Sequence, residues 1–147
     1  METGNVIVDA QAAFARSQWR RRRARAAGWL LRRPRERTHL SSLEQDLGPM
    51  PPAARRHVGL HAVPLSSIVG TVEPTKARRF DRSFHPPPSS RFRWERLWTA
   101  ARRGASLPPI SVYRLGDKHY VEDGHHRVSV AHSLGMAAID AEVTALR

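Results

Sequence analysis

Five consecutive residues, Asp123-Gly124-His125-His126-Arg127, combine the side chains and the backbone freedom that phosphate chemistry needs. They stand between an alternating stretch, "KHYVE", and a stretch with helical spacing in which Val128, Ala131 and Leu134 share a face. A helix starting at about His125 or His126 would leave free backbone N–H groups at its first turn, where an anion is favoured. Gly124 would permit a tight turn and a close approach of phosphate. Arg127 can offer a forked cation, and the two imidazoles add donors whose charge depends on pH. Asp123 has three open roles: helix cap, acid–base group, or ligand to a magnesium ion that bridges phosphates. The competing reading is plainer: a capped turn with solvated histidines. Zinc is disfavoured, since His119, His125, His126 and His132 lack ligand spacing and the chain has no cysteine.

The elements around this turn predict an α+β fold, a small mixed sheet with packed helices. "HAVPL" from His61 reads as a strand and "SSIVG" as a helical turn capped by Ser66 or Ser67. A loop follows, in which three prolines at 86–88 forbid regular structure. From Arg91 a helix carries Trp94, Leu97, Trp98 and Ala101 on one stripe, with Ser90 as cap and Gly104 as terminator. Two strands around Gly116-Asp117 predict a hairpin, and "AIDAEV" closes the domain. The expected core holds Trp94, Leu97, Trp98, Ile110, Val112, Val128, Ala131 and Leu134.

Upstream, Asp9 to Leu31 has the spacing of a helix, capped by Asp9, with Ala12, Ala15, Trp19, Ala26 and Leu30 on one stripe. It contains "WRRRRAR", in which Arg20, Arg21, Arg22, Arg23 and Arg25 are candidates for tracking nucleic-acid phosphates without base preference. The plainer alternative is a surface helix docked through Trp19 and Trp29 with solvated arginines. The expected organisation is a basic helical arm at 1–33, a Pro-rich linker at 34–60 and one domain at 61–147. A formal charge of +12 favours polyanions as partners, although abundant arginine alone can produce it. The absence of cysteine excludes disulfides and thiolate nucleophiles. No export signal or membrane-length apolar run is present, so the expected location is cytoplasmic, without membrane insertion.

Residues 61–143 resemble the ParB/sulfiredoxin superfamily, in particular its ParB-like N-terminal domains, often labelled ParB-like nucleases. The resemblance rests on "AVPLSSIVG", on "LWTAARRGASLPPISVYRLGDKHYVEDGHHR" with its Gly-x-x-Arg turn, and on "VSVAHSLGMAAIDAEV". It implies a nucleotide-phosphate pocket at Gly124, His125, His126 and Arg127, taking CTP, ATP or ADP with magnesium. "EPTKARRFD" is similar to the family's Pro-containing loop, which adds Arg78. The turn departs from the ParB pattern, which has Glu-Arg after its glycine, and is closer to that of a related free serine kinase. That likeness makes Asp123, His126 and Glu73 candidate catalytic residues, with Asp123 also a candidate magnesium ligand. Without cysteine, sulfiredoxin activity is excluded. These residues contain no helix-turn-helix reader, so site-specific DNA binding is not expected.

The expected function is therefore a regulatory nucleotide-binding domain, associated with DNA through its arm and compatible with a homodimer. The alternative is an enzyme using the same turn: a nucleotide hydrolase, a small-molecule kinase, or a metal-dependent nuclease or phosphodiesterase. A third reading leaves the turn as a cap and the protein as a partner-binding module.

Overall fold

The computed structural model describes residues 3–32, 39–49 and 54–146. Five helices and six strands follow one another in the order α1 (Val6–Leu30), β1 (Ser41–Ser42), α2 (Leu43–Leu47), β2 (Arg55–Pro64), β3 (Ile68–Thr71), α3 (Pro74–Ala77), α4 (Arg91–Arg102), β4 (Ile110–Leu115), β5 (Lys118–Asp123), α5 (His125–Ser133) and β6 (Ala138–Leu146). The strands form a single mixed sheet in the order β1-β3-β5-β4-β6-β2. The fold is α+β, as the alternation of patterns predicts.

The β4–β5 hairpin turns at Gly116-Asp117, with Leu115 opposite Lys118. Strand β6 lies parallel to β4 and antiparallel to β2, so it is enclosed on both sides. Val and Ile supply most of the buried sheet positions that face α5, because β-branched side chains fit a pleated, buried surface. Ile110, Val112, Val121, Ala141 and Val143 from the sheet meet Val128 and Ala131 of α5 in the main core. A second cluster joins Ala10, Ala13 and Phe14 of α1 to Trp94 and Trp98 of α4 and Val130 of α5. Of the expected core, Leu97 and Leu134 are half-buried against this second cluster, and the other six residues are buried.

Several local expectations are corrected. Residues 65–67 form a single 3-10 turn, and Ile68–Thr71 then form β3, so "SSIVG" is mostly strand. A Cβ at Gly70 would collide with the Ser41 carbonyl, which explains why only glycine lets β1 run beside β3 here. Ser41–Ser42 and residues 55–60, expected in the linker, belong to the sheet; 33–38 and 50–53 lie outside the described residues.

Helix α1 begins at Val6, and its cap is Asn5, whose side chain accepts from the N–H groups of Ile7 and Val8. Asp9 instead accepts from the Thr3 backbone N–H and hydroxyl. The stripe that docks comprises Ala10, Ala13, Phe14, Ser17 and Arg21, turned away from the expected one. Trp19 and Trp29 are 55% and 80% exposed, so neither anchors the helix.

Candidate functional site

Helix α5 starts directly from the end of β5. Gly124 occupies the cap position at φ +112°, a conformation that L side chains rarely adopt, and its carbonyl accepts the first helical bond, from Val128. No side chain caps the helix. The first-turn N–H groups are therefore left without a side-chain acceptor, and the helix dipole favours an anion beside them. A Cβ on Gly124 would collide with the Ile110 side chain, so glycine is also required by packing against β4.

His125 does not face outward. It is 1% exposed, packs on Phe80 with ring centroids 5.8 Å apart, and has Nε2 2.6 Å from the Thr71 hydroxyl. Burial first, then the charges of Lys76 and His126, push its pKa down to about 3. Its Nδ1 is buried with no hydrogen-bond partner. The expected contribution of this imidazole to phosphate binding gives way to a positioning role beneath the turn.

His126 is the more accessible of the two. Its Nε2 lies 2.7 Å from Ser90 Oγ, and its ring meets Phe80 edge-on at 5.2 Å. Ser90 thus bonds across to α5, and its side chain does not cap α4 as expected. Burial, then the charges of Arg93, Lys76 and Arg79, push the His126 pKa down to about 4. The charges of three cations, from α3, the turn after it and α4, thus oppose protonation of one imidazole at a helix start. Lys76 has a loose pairing with Glu73 at 3.9 Å, whereas the guanidinium groups of Arg79 and Arg93 have no ion-pair or hydrogen-bond partner among the described residues.

Arg127 is differently employed. One terminal nitrogen donates to the carbonyls of Pro108 and Pro109, each at 2.7 Å, and the other lies 3.0 Å from Asp123 Oδ2. These bonds tie α5 to the segment entering β4 and occupy much of the fork expected to grip phosphate. Asp123 is accordingly the partner of Arg127 and does not cap α5; its side chain remains mostly exposed. Among the described residues no group of three or more His, Asp or Glu side chains could hold a metal ion. Magnesium at Asp123 would have to arrive with the phosphates it bridges. Glu73 lies at the start of α3, its backbone N–H donating to the Thr71 hydroxyl. Arg78 is exposed at the end of α3, and the charge that reaches His126 is that of its neighbour Arg79.

No model of a known protein family matches the chain, and no curated protein matches it at a significant level. The solved structure of sulfiredoxin from Arabidopsis thaliana is similar, with a TM-score of 0.44 and 19% identity over 57% of this chain and 82% of that one. The roles assigned to these residues come from this chain's own contacts.

On α1, the expected phosphate-tracking block divides. Arg21 is 6% exposed and donates to the Pro86 carbonyl at 2.9 Å, beside Gln18, which donates to the same oxygen at 2.7 Å. It is therefore a docking residue and is removed from the candidate nucleic-acid surface. Arg20, Arg22, Arg23 and Arg25 are exposed, and Arg23 lies over the Trp19 ring at 5.1 Å. No described helix is long and apolar enough to cross a membrane.

The sequence reading missed Lys76, Arg79, Arg93, Ser90 and Phe80. The string "TKARRF" contained a signal for three of them. Lys76 and Arg79 are three residues apart, close enough to share one side of a helical turn, and Phe80 follows directly. Arg93 carried no such signal, because its meaning depends on how α4 lies across α5.

Proposed function

We propose that this chain binds the phosphates of a nucleotide at the start of α5, as a regulatory binding domain. The observation that carries the reading is the start of α5, where Gly124 stands at the cap and no side chain caps the helix, while the charges of Arg93, Lys76 and Arg79 act on His126 there. A phosphate would satisfy the orphan donors and offset those charges. In this arrangement Arg127 and His125 hold the turn in shape, and His126 and Ser90 form its polar wall.

Binding is favoured over catalysis because the groups needed for acid–base chemistry are already engaged. His125 is buried, Asp123 is paired with Arg127, and His126 shares Nε2 with Ser90. The exposed arginines of α1 add a second, non-specific attraction for nucleic acid.

Isothermal titration with ATP, ADP, CTP and GTP, with and without magnesium, tests the reading. The parent should bind at least one of them. The double change Lys76→Ala with Arg79→Ala should weaken binding by roughly tenfold to a hundredfold, as loss of charge-assisted bonds implies. Absence of binding by the parent, or equal binding by the double variant, would sink it.

A further inference from the structure

A second polar cleft lies further along α5, between its later turns, α1 and the loop before α4. It has a volume of about 290 Å³, near the lower end of small-ligand pockets, which start at roughly 300 Å³. Helix α1 contributes Arg16 and Arg20, one turn apart; α5 contributes Ser129, His132 and Ser133; the loop before α4 contributes His85. No carboxylate lines it. Neither Arg16 nor Arg20 has an ion-pair or hydrogen-bond partner among the described residues.

Three further contacts hold polar side chains of this region in place. The Trp94 indole can only donate, and its Nε1 lies 2.8 Å from Ser129 Oγ. The buried Ser129 hydroxyl must accept there, and its own proton has no side-chain hydrogen-bond acceptor among the described residues. Asp81 fixes His85 through two bonds, Oδ1 accepting from its backbone N–H and Oδ2 lying 2.7 Å from its Nδ1, and Oδ1 also accepts from the N–H of Ser83. An ionised carboxylate only accepts, so Nδ1 carries the proton, and on the neutral ring Nε2 faces the cleft as an acceptor, suited to a protonated oxygen of a ligand. His132 is stacked on Phe84, with centroids 5.9 Å apart and planes 16° apart, so its ring is ordered although its edge reaches solvent.

We infer that this cleft is a binding site for a compact, multiply charged phosphate-type oxyanion, a pyrophosphate or phosphate-ester group, gripped by Arg16 and Arg20 and by the Ser129 and Ser133 hydroxyls. Two arginines one helical turn apart match an oxyanion with several acceptor oxygens, and the cleft is closed by α1, α5 and the loop around His85. Its small volume favours a single small ligand over a nucleic-acid backbone. The site is separate from the start of α5 and shares no cation with it. It would also couple α1 to the sheet domain, because only the docked helix presents both arginines to α5.

The test uses the full chain with its histidine rings isotopically labelled, titrated with inorganic pyrophosphate and followed by NMR, with His85 and His132 assigned from single His→Gln changes. Pyrophosphate should shift both rings saturably. The pair Arg16→Gln with Arg20→Gln, at exposed positions, should weaken that response by about tenfold or more. Ser133→Asp, which adds a negative charge to the cleft, should abolish it. Lys76→Ala with Arg79→Ala should leave it in place, which separates this site from the one at the start of α5. The inference is overturned if no saturable shift occurs, or if the arginine pair leaves it unaltered. It is equally overturned if the response disappears with Lys76 and Arg79.

Discussion

The Nε2 of His125 lies 2.6 Å from the hydroxyl of Thr71, joining the first turn of α5 to the end of β3 inside the core. The Thr71 oxygen also lies 3.2 Å from the Val121 carbonyl and accepts from the Glu73 N–H at 3.0 Å. It has one proton to give. Whichever acceptor takes it, a neutral His125 leaves Nδ1 unpaired in an apolar surround. This arrangement holds only while the ring is uncharged.

Stability should therefore fall with acid. The native pKa of His125 is lowered from 6.5 to about 3, so between those values the unfolded chain binds more protons than the native one. The stabilisation is fully present above about pH 6.5 and is lost as pH falls towards 3, by up to about 1.4 kcal/mol per unit. Burial lowers the pKa of His126, His119 and His132 as well, so denaturant midpoints measured from pH 7 to pH 4 should show the slopes of all four, and His125→Gln should make the total shallower. An equal slope in the variant would mean that the acid sensitivity lies elsewhere.

The docking of α1 gives a second prediction. Phe14 is buried against Trp94, with ring centroids 5.5 Å apart. Phe14→Ala should cost about 3–5 kcal/mol, the range for a buried aromatic truncated to alanine. Trp29→Ala, at an exposed position, should change stability by less than about 0.5 kcal/mol. The reverse ranking in chemical melts would show that the helix packs by its other face.

These helices show what the sequence could and could not reveal. The β4–β5 hairpin was legible because alternation on both sides of Gly116-Asp117 allows one register. The α4 stripe was legible because Trp94 and Trp98 are large and their opposite face is charged. The α1 face was not. Its small apolar residues surround the helix, and the buried stripe includes Ser17 and Arg21. Arg21 belongs inside only because the Pro86 carbonyl, 65 positions away, accepts from it. At the candidate site, the uncapped glycine–helix junction could be read from local sequence. The occupation of Arg127 by two proline carbonyls could not, since it depends on where the segment entering β4 lies.

That occupation makes Arg127 a structural latch. Arg127→Ala should lower stability by about 1.5–3 kcal/mol, the scale of hydrogen bonds to a charged group. Arg127→Lys should recover only part, because an ammonium lacks the planar fork that reaches two carbonyls and a carboxylate together. Thermal melts of the three proteins check this. Full recovery by lysine would reduce the role of Arg127 to charge alone.

The remaining arginines of α1 bear on nucleic acid. Arg22 and Arg25 are exposed and have no partner among the described residues. Changing both to Gln should weaken binding to duplex DNA of any sequence and make the log–log salt slope shallower, by roughly 0.9 for each phosphate no longer neutralised. Arg21→Gln should instead destabilise the fold. Fluorescence anisotropy at several salt concentrations separates these effects, and unaltered binding by the Arg22/Arg25 variant would exclude α1 as the contact surface.

The last prediction concerns the proton on His126. In the free protein its pKa is near 4, because burial and then Arg93, Lys76 and Arg79 oppose a further positive charge. A bound phosphate offsets those cations, so the same imidazole should titrate closer to 6.5 in the complex. Binding then takes up a proton in the window between about pH 4 and pH 6.5. Affinity should rise as pH falls through it, by at most about tenfold per unit for one proton. The ligand's own phosphate titrates near pH 6 and acts in the opposite sense, so the comparison is with His126→Gln under identical conditions. The ratio of parent to variant affinity should increase towards acid, and the His126 ring signal should show a raised midpoint on saturation. A midpoint that stays near 4 with nucleotide bound would place the phosphates away from the cation cluster.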